Sequence, residues 1–101
     1  MEIKIEGRQV DIGDELRDRI QKHFDNLDQR FGPLTHGRIS VERNAHNNDQ
    51  RACVKTVVNV AGKTISATKE AATVIGAVNE TLDTLTQELL THAEKSKKNH
   101  R

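Results

Sequence analysis

The stretch EAATVIGAVNETLDTLTQELLTHAE, Glu70–Glu94, decides the fold. Ala71, Val74, Ile75, Val78, Leu82, Leu85 and Leu89 fall at helical spacing, so the pattern predicts a long amphipathic helix whose apolar face must be covered by another layer. Thr68 or Thr73 supplies its N-cap. The same stretch holds five acidic residues and no lysine or arginine, which makes the outer face (Glu80, Asp83, Glu88, Glu94) acidic.

Upstream of that helix the period changes from helical to alternating. Ile65 and Ala67 point one way between polar neighbours, and Ala61-Gly62 forms a short reversal before them. Ala52, Val54, Thr56, Val58 and Val60 share one strand face, leaving Arg51, Cys53, Lys55, Val57 and Asn59 on the other. Asn47, Asn48 and Asp49 supply turn chemistry, and Arg38 to Arg43 alternates with Ile39 and Val41 inward. Leu16, Ile20, Phe24, Leu27 and Phe31 predict a helix that opens at Gly13, carries Asp14 and Glu15 in its first turn and stops at Gly32-Pro33. Ile3 and Ile5 mark a first strand.

The order is β-α-β-β-β-α, an α+β fold. The strand–helix–strand start implies parallel pairing with a right-handed crossover, which puts both helices on one face of a four-stranded sheet. The other face is left to solvent or a partner, with Lys55 and small polar residues on it.

A chain of 101 residues fits one domain. We place that domain at 1–94 and read 95–101 as a basic flexible tail. The single cysteine, Cys53, allows no internal disulfide and suits a reducing compartment, and Met1 opens directly into a strand with no export signal, so the cytoplasm is expected. The formal net charge is only +1, but it is unevenly spread. From Thr35 to Lys69 there are six basic residues (Arg38, Arg43, Arg51, Lys55, Lys63, Lys69) against Glu42 and Asp49, and the end adds Lys95, Lys97, Lys98 and Arg101.

No chemistry of bond-making is legible. The five histidines, His23, His36, His46, His92 and His100, do not pair on a helical face with a carboxylate, so no metal or other cofactor is expected. His23 borders the apolar stripe of the first helix and reads as a packed or half-exposed side chain. Cys53 has no His or Asp signature nearby, and no phosphate loop, carboxylate pair or Ser-His-Asp set can be placed. An enzyme is therefore not expected.

The element order, the run Val10-Asp11-Ile12-Gly13-Asp14-Glu15-Leu16-Arg17 and the later Leu82-Asp83-Thr84-Leu85 resemble the short ribosome hibernation-promoting factor family, also called ribosome-associated inhibitor A or sigma-54 modulation proteins. The resemblance runs over nearly the whole chain. It implies a layout related to double-stranded-RNA-binding domains and a protein that occupies the mRNA and tRNA channel of the small ribosomal subunit under stress, silencing translation reversibly. Longer members of the family add a second domain that pairs two ribosomes, for which this sequence has no residues.

Transfer of the family's basic positions is partial. Arg17 stands where the family keeps an arginine, but the next family cation falls on His23, with Lys22 beside it, and a further one on Asn26. The second helix starts Thr73-Val74-Ile75 in place of an Asp-Met-Tyr-like sequence, and Thr84, Gln87, Thr91 and Ala93 stand where outward lysines and arginines are usual. The expected RNA contacts are Arg17, Lys22, Arg30, Arg38, Arg43, Arg51, Lys55, Lys63, Lys69, Lys95, Lys97 and Lys98. Such cations are also ordinary on any soluble domain. Two readings stand. One is an rRNA-binding, translation-silencing factor whose partner is the small subunit and its 16S-type rRNA, with no membrane and no small-molecule substrate. The other is a regulatory adaptor that offers the acidic face of the last helix to a basic protein.

Overall fold

A computed structural model describes residues 1–46 and 49–98. Asn47 and Asn48, where the sequence places a turn, lie outside the described residues, as does Arg101; Asp49 already belongs to a strand. The elements are β1 (Ile3–Arg8), α1 (Asp14–Phe31), β2 (Leu34–His46), β3 (Asp49–Val60), β4 (Lys63–Ala71) and α2 (Val74–Lys98). They form an α+β fold with one four-stranded sheet of order β1-β2-β3-β4, in which β1 and β2 run parallel and the other pairs antiparallel.

Local chemistry sets the boundaries. Gly13 caps α1 in an extended conformation, and Asp14 and Glu15 lie in the first turn, where their charge suits the positive end of the helix dipole. At the other end Asp28 holds the exit twice: its carbonyl accepts from Gly32 N at 2.8 Å and its carboxylate from Leu34 N at 2.8 Å. A Cβ on Gly32 would collide with that carbonyl oxygen, so any side chain there forces the backbone to shift. The β3–β4 hairpin closes through Ala61 and Gly62 at φ 51° and 79°, the left-handed pair that a two-residue turn requires. Thr73 caps α2, its hydroxyl accepting from Gly76 N at 3.0 Å.

The core lies between one sheet face and the two helices. Ile39, Val41, Val54, Val58 and Ile65 from the sheet pack against Ile20, Phe24, Leu27, Val78, Leu82, Leu85 and Leu89. Two buried hydroxyls are satisfied within it: Thr56 donates to Arg38 O at 2.9 Å, and Thr81 to Ala77 O at 2.7 Å and Val54 O at 3.3 Å.

Two expectations fail here. Ile75 is 55% exposed, because the first turn of α2 fronts an open hollow shared with Val10, Leu16 and Val74 and not the sheet. Thr81, a polar residue absent from the apolar stripe, takes a fully buried place. α2 continues past Glu94 through Lys95 and Lys97 to Lys98. Nothing from Lys95 to Lys98 breaks a helix, and lysines at its C-terminal end suit the negative pole of the dipole. No helix among the described residues is long and apolar enough to cross a membrane.

Candidate nucleic-acid interface

Strand alternation sends every second side chain away from the helices, and the register lines these up in rows. Lys4 neighbours Arg38, which opposes Val57 and then Ser66. The next row is Glu6, Ser40, Lys55, Thr68, and the next is Arg8, Glu42, Cys53, Glu70. Arg51 continues the β3 line beyond Cys53.

The six basic residues between Thr35 and Lys69 divide between the two sides of this sheet. Arg38, Arg51 and Lys55 stand on the open face. Arg43 shares the parity of Ile39 and Val41, is half-buried, and borders the hollow with Leu16 and Val74. Lys63 and Lys69 share the parity of Ile65 and Ala67, and they remain exposed because β4 is an edge strand. The structure adds Lys4 and Arg8, which sequence reasoning passed over. Their position was implicit in the inward Ile3 and Ile5, but only the parallel β1–β2 register sets them beside Arg38 and Glu42.

Ion pairing distinguishes these cations. Lys4 Nζ lies 3.3 Å from Glu6 Oε1 and Arg51 Nε lies 3.9 Å from Glu70 Oε2. Among the described residues no carboxylate pairs with Arg8, Arg38 or Lys55. A register shift in β2 between Thr35 and Arg38, with His36 at φ 54°, re-aims the chain just before Arg38, and the bond from Thr56 then fixes that residue's backbone. A shallow hollow of about 380 Å³ opens between Lys4, His36, Arg38 and Val57, and another of about 340 Å³ between Arg8, Glu42, Cys53 and Lys55. Burial first, then the carboxylates of Glu70 and Glu42, pushes the Cys53 thiol above its ordinary pKa, so it stays protonated and poorly nucleophilic.

Three cations of α1 are engaged, while Arg19 on the same helix is exposed and has no ion-pair partner among the described residues. Arg17 Nε donates to Ile12 O at 3.2 Å, Lys22 Nζ pairs with Asp18 at 3.0 Å, and the Arg30 guanidinium stacks 4.9 Å from the centre of the Phe31 ring. Along α2 the exposed charges are Glu80, Asp83, Glu88 and Glu94, until Lys95 at its end. Lys97 and Lys98 belong to the helix, and their side chains lie outside the described part. Both phenylalanines belong to the helix layer, Phe24 buried and Phe31 half-buried, and the chain has no Tyr or Trp. The His36 imidazole beside Arg38 is therefore the aromatic ring at this face among the described residues. This arrangement suits contact with phosphates more than base stacking.

The pattern of the family described as sigma 54 modulation protein / S30EA ribosomal protein matches residues 3–97. The ribosome hibernation promotion factor of Deinococcus radiodurans is 26% identical over 87 residues, which are 85% of this chain and 46% of that protein, so the chain spans about half of that relative's length. The ribosome hibernation promoting factor of Azotobacter vinelandii is 26% identical over 95 residues, covering 94% of this chain and 85% of the relative. Among solved structures, a ribosomal subunit interface protein from Coxiella burnetii superposes with a TM-score of 0.73 at 23% identity, covering 93% of this chain and 99% of that one. The N-terminal domain of Thermus thermophilus Protein Y gives 0.68 at 24%, covering 88% and 96%. At these identities the structural likeness shows the α+β fold.

Proposed function

The chain belongs to the sigma 54 modulation protein / S30EA ribosomal protein family, and from that premise we propose that it is a ribosome-associated, translation-silencing factor. In this reading it binds rRNA of the small subunit in the mRNA and tRNA channel under stress and acts in the cytoplasm. One observation carries the reading: the family match spans residues 3–97 and so takes in all six elements, with the names of the hibernation factors among its relatives pointing the same way. Silencing of this kind is steric. A rigid domain held by phosphate contacts keeps mRNA and tRNA out, and it leaves when the contacts weaken, so no covalent step is needed.

A second reading has its own observation. The outer face of α2 is acidic through Glu80, Asp83, Glu88 and Glu94, which repels phosphate and suits a basic protein. In that case the chain is a regulatory adaptor on the same fold. Sedimentation of stationary-phase lysate through a sucrose gradient separates the two. Travel with small subunits supports the silencing factor, and retention at the top of the gradient contradicts it.

A further inference from the structure

We propose that the free edge of β1 pairs antiparallel with β1 of a second copy of this chain, joining the two sheets about a two-fold axis at Ile5. The inference stands apart from the ribosomal reading and rests on the pattern of β1 itself.

The two edges of the sheet differ. β1 pairs with β2 alone, so the backbone groups along its far side have no strand partner. α1 reaches only the entry of the strand, where Gln21 Nε2 donates to Met1 O and Asp25 accepts from the Met1 ammonium. Ile3 and Ile5 pack against the core yet stay half-buried, whereas Ile39 and Val41 on the next strand are fully buried. The opposite edge is guarded. On β4, Lys63 and Lys69 take the helix side with Ile65 and Ala67 and remain exposed, and inward charges on an edge strand oppose further pairing. The inward residues of β1 are Ile3, Ile5 and Gly7, and none is charged.

The outward row selects the partner. Glu2, Lys4, Glu6 and Arg8 alternate in sign along it. An antiparallel pair centred on Ile5 sets Glu2 of each copy against Arg8 of the other and Lys4 of each against Glu6 of the other, so every outward charge meets its opposite. A slide of two residues one way brings Lys4 against Lys4 and Glu2 against Glu6; two the other way brings Glu6 against Glu6 and Lys4 against Arg8. A slide of one residue faces Ile5 with a charged side chain. In the single chain Glu2 and Arg8 have no ion-pair partner among the described residues, although Arg8 lies beside Glu42 on β2. Lys4 holds Glu6 at 3.3 Å and lies beside Arg38. The second copy supplies partners at both ends. On the inner side Ile5 meets Ile5, and Ile3 meets the exposed Gly7, which has no side chain to obstruct it. Residues of equal parity face each other, so both helix layers lie on one side of the joined sheet.

The paired stretch from Glu2 to Arg8 is about 24 Å long, a small contact that makes the dimer a weak, concentration-dependent one. Exposed ion pairs add little strength, and their part is to choose register and partner. Sedimentation velocity of the purified protein from about 5 to about 500 µM should show a monomer–dimer equilibrium. Lys4→Glu and Glu6→Lys each set like charges opposite one another twice, and each should weaken self-association about tenfold or more. Both side chains reach solvent, 63% and 33% exposed, so neither change touches the core. Mixed together, the two variants place glutamates of one copy opposite lysines of the other. Fluorescently labelled Lys4→Glu protein should therefore bind unlabelled Glu6→Lys protein within about threefold of the unaltered affinity. Lys63→Glu, on the far edge, should change self-association by less than about twofold.

A protein that stays monomeric to about 500 µM, a dimer that neither variant weakens, an equal loss from Lys63→Glu, or a mixture that associates no better than the separate variants overturns the proposal. Should either variant fold poorly, Lys4→Glu with Glu6→Lys in one chain restores opposite charges across the axis. That double swap must dimerise as the unaltered protein does, and its failure to do so overturns the register.

Discussion

His23 on α1 and Thr86 on α2 meet between the helices, imidazole Nε2 to hydroxyl Oγ1, at 3.2 Å. The Thr86 hydroxyl spends its own proton on Leu82 O at 2.9 Å, so it accepts from His23, and the neutral ring carries its hydrogen on Nε2. Burial holds the His23 pKa below its ordinary value, against the opposing pull of the Asp83 carboxylate and the Leu82 carbonyl.

The pH dependence of stability follows. The unfolded histidine titrates near about 6.5. Above that value both states are neutral and His23 adds no slope. As pH falls below it, the unfolded chain takes up a proton before the folded one, so stability declines until pH passes the folded pKa and then levels. His23→Gln should therefore melt less steeply than the unaltered protein as pH falls below about 6.5. Parallel melting curves below that pH would contradict the packed, neutral ring.

Leu82 is 3% exposed between α2 and the sheet. Leu82→Ala removes that contact and leaves a cavity, at a cost of about 2 to 5 kcal/mol, enough to lower Tm by about 10 °C or more in a domain of this size. An unchanged calorimetric melt would mean that α2 does not dock on the sheet.

Thr73→Ala deletes the hydroxyl that accepts from Gly76 N and should cost about 1 kcal/mol. Thr73→Ser should recover most of it. Equal stability of both variants in urea melts would remove the cap from the account of where α2 begins.

The sequence carried the element order and the inward positions well, because period two and period 3.6 are local signals that residues such as Val54, Ile39 and Leu85 state plainly. The strand pairing was less accessible. Lys4 and Arg8 join the candidate face through the register with β2, and Arg43, Lys63 and Lys69 fall on the opposite parity, so a basic excess counted along the chain was divided in space. Ile75 fitted the apolar stripe yet lies at an end of the helix that the sheet does not cover, and no local pattern marks that limit.

The acidic helix makes its own prediction. Thr84 and Gln87 lie on the outward side of α2, and Thr84→Lys with Gln87→Arg adds two cations where the acidic residues now repel phosphate. A silencing factor weakened by that face should gain small-subunit affinity at low salt, and the gain should shrink as salt rises because each new contact steepens the salt slope by about one unit. An adaptor using the face should instead lose its basic partner and gain no ribosome association.

The most direct test of the central claim is pelleting of the purified protein with purified small subunits, and separately with large subunits, as salt is raised. Association through rRNA phosphates predicts that it pellets with small subunits at low salt and is released along a steep log–log salt dependence, with a slope of about −3 or steeper. Protein left in the supernatant at low salt, or retention that salt does not alter, would contradict a ribosome-silencing role held by phosphate contacts.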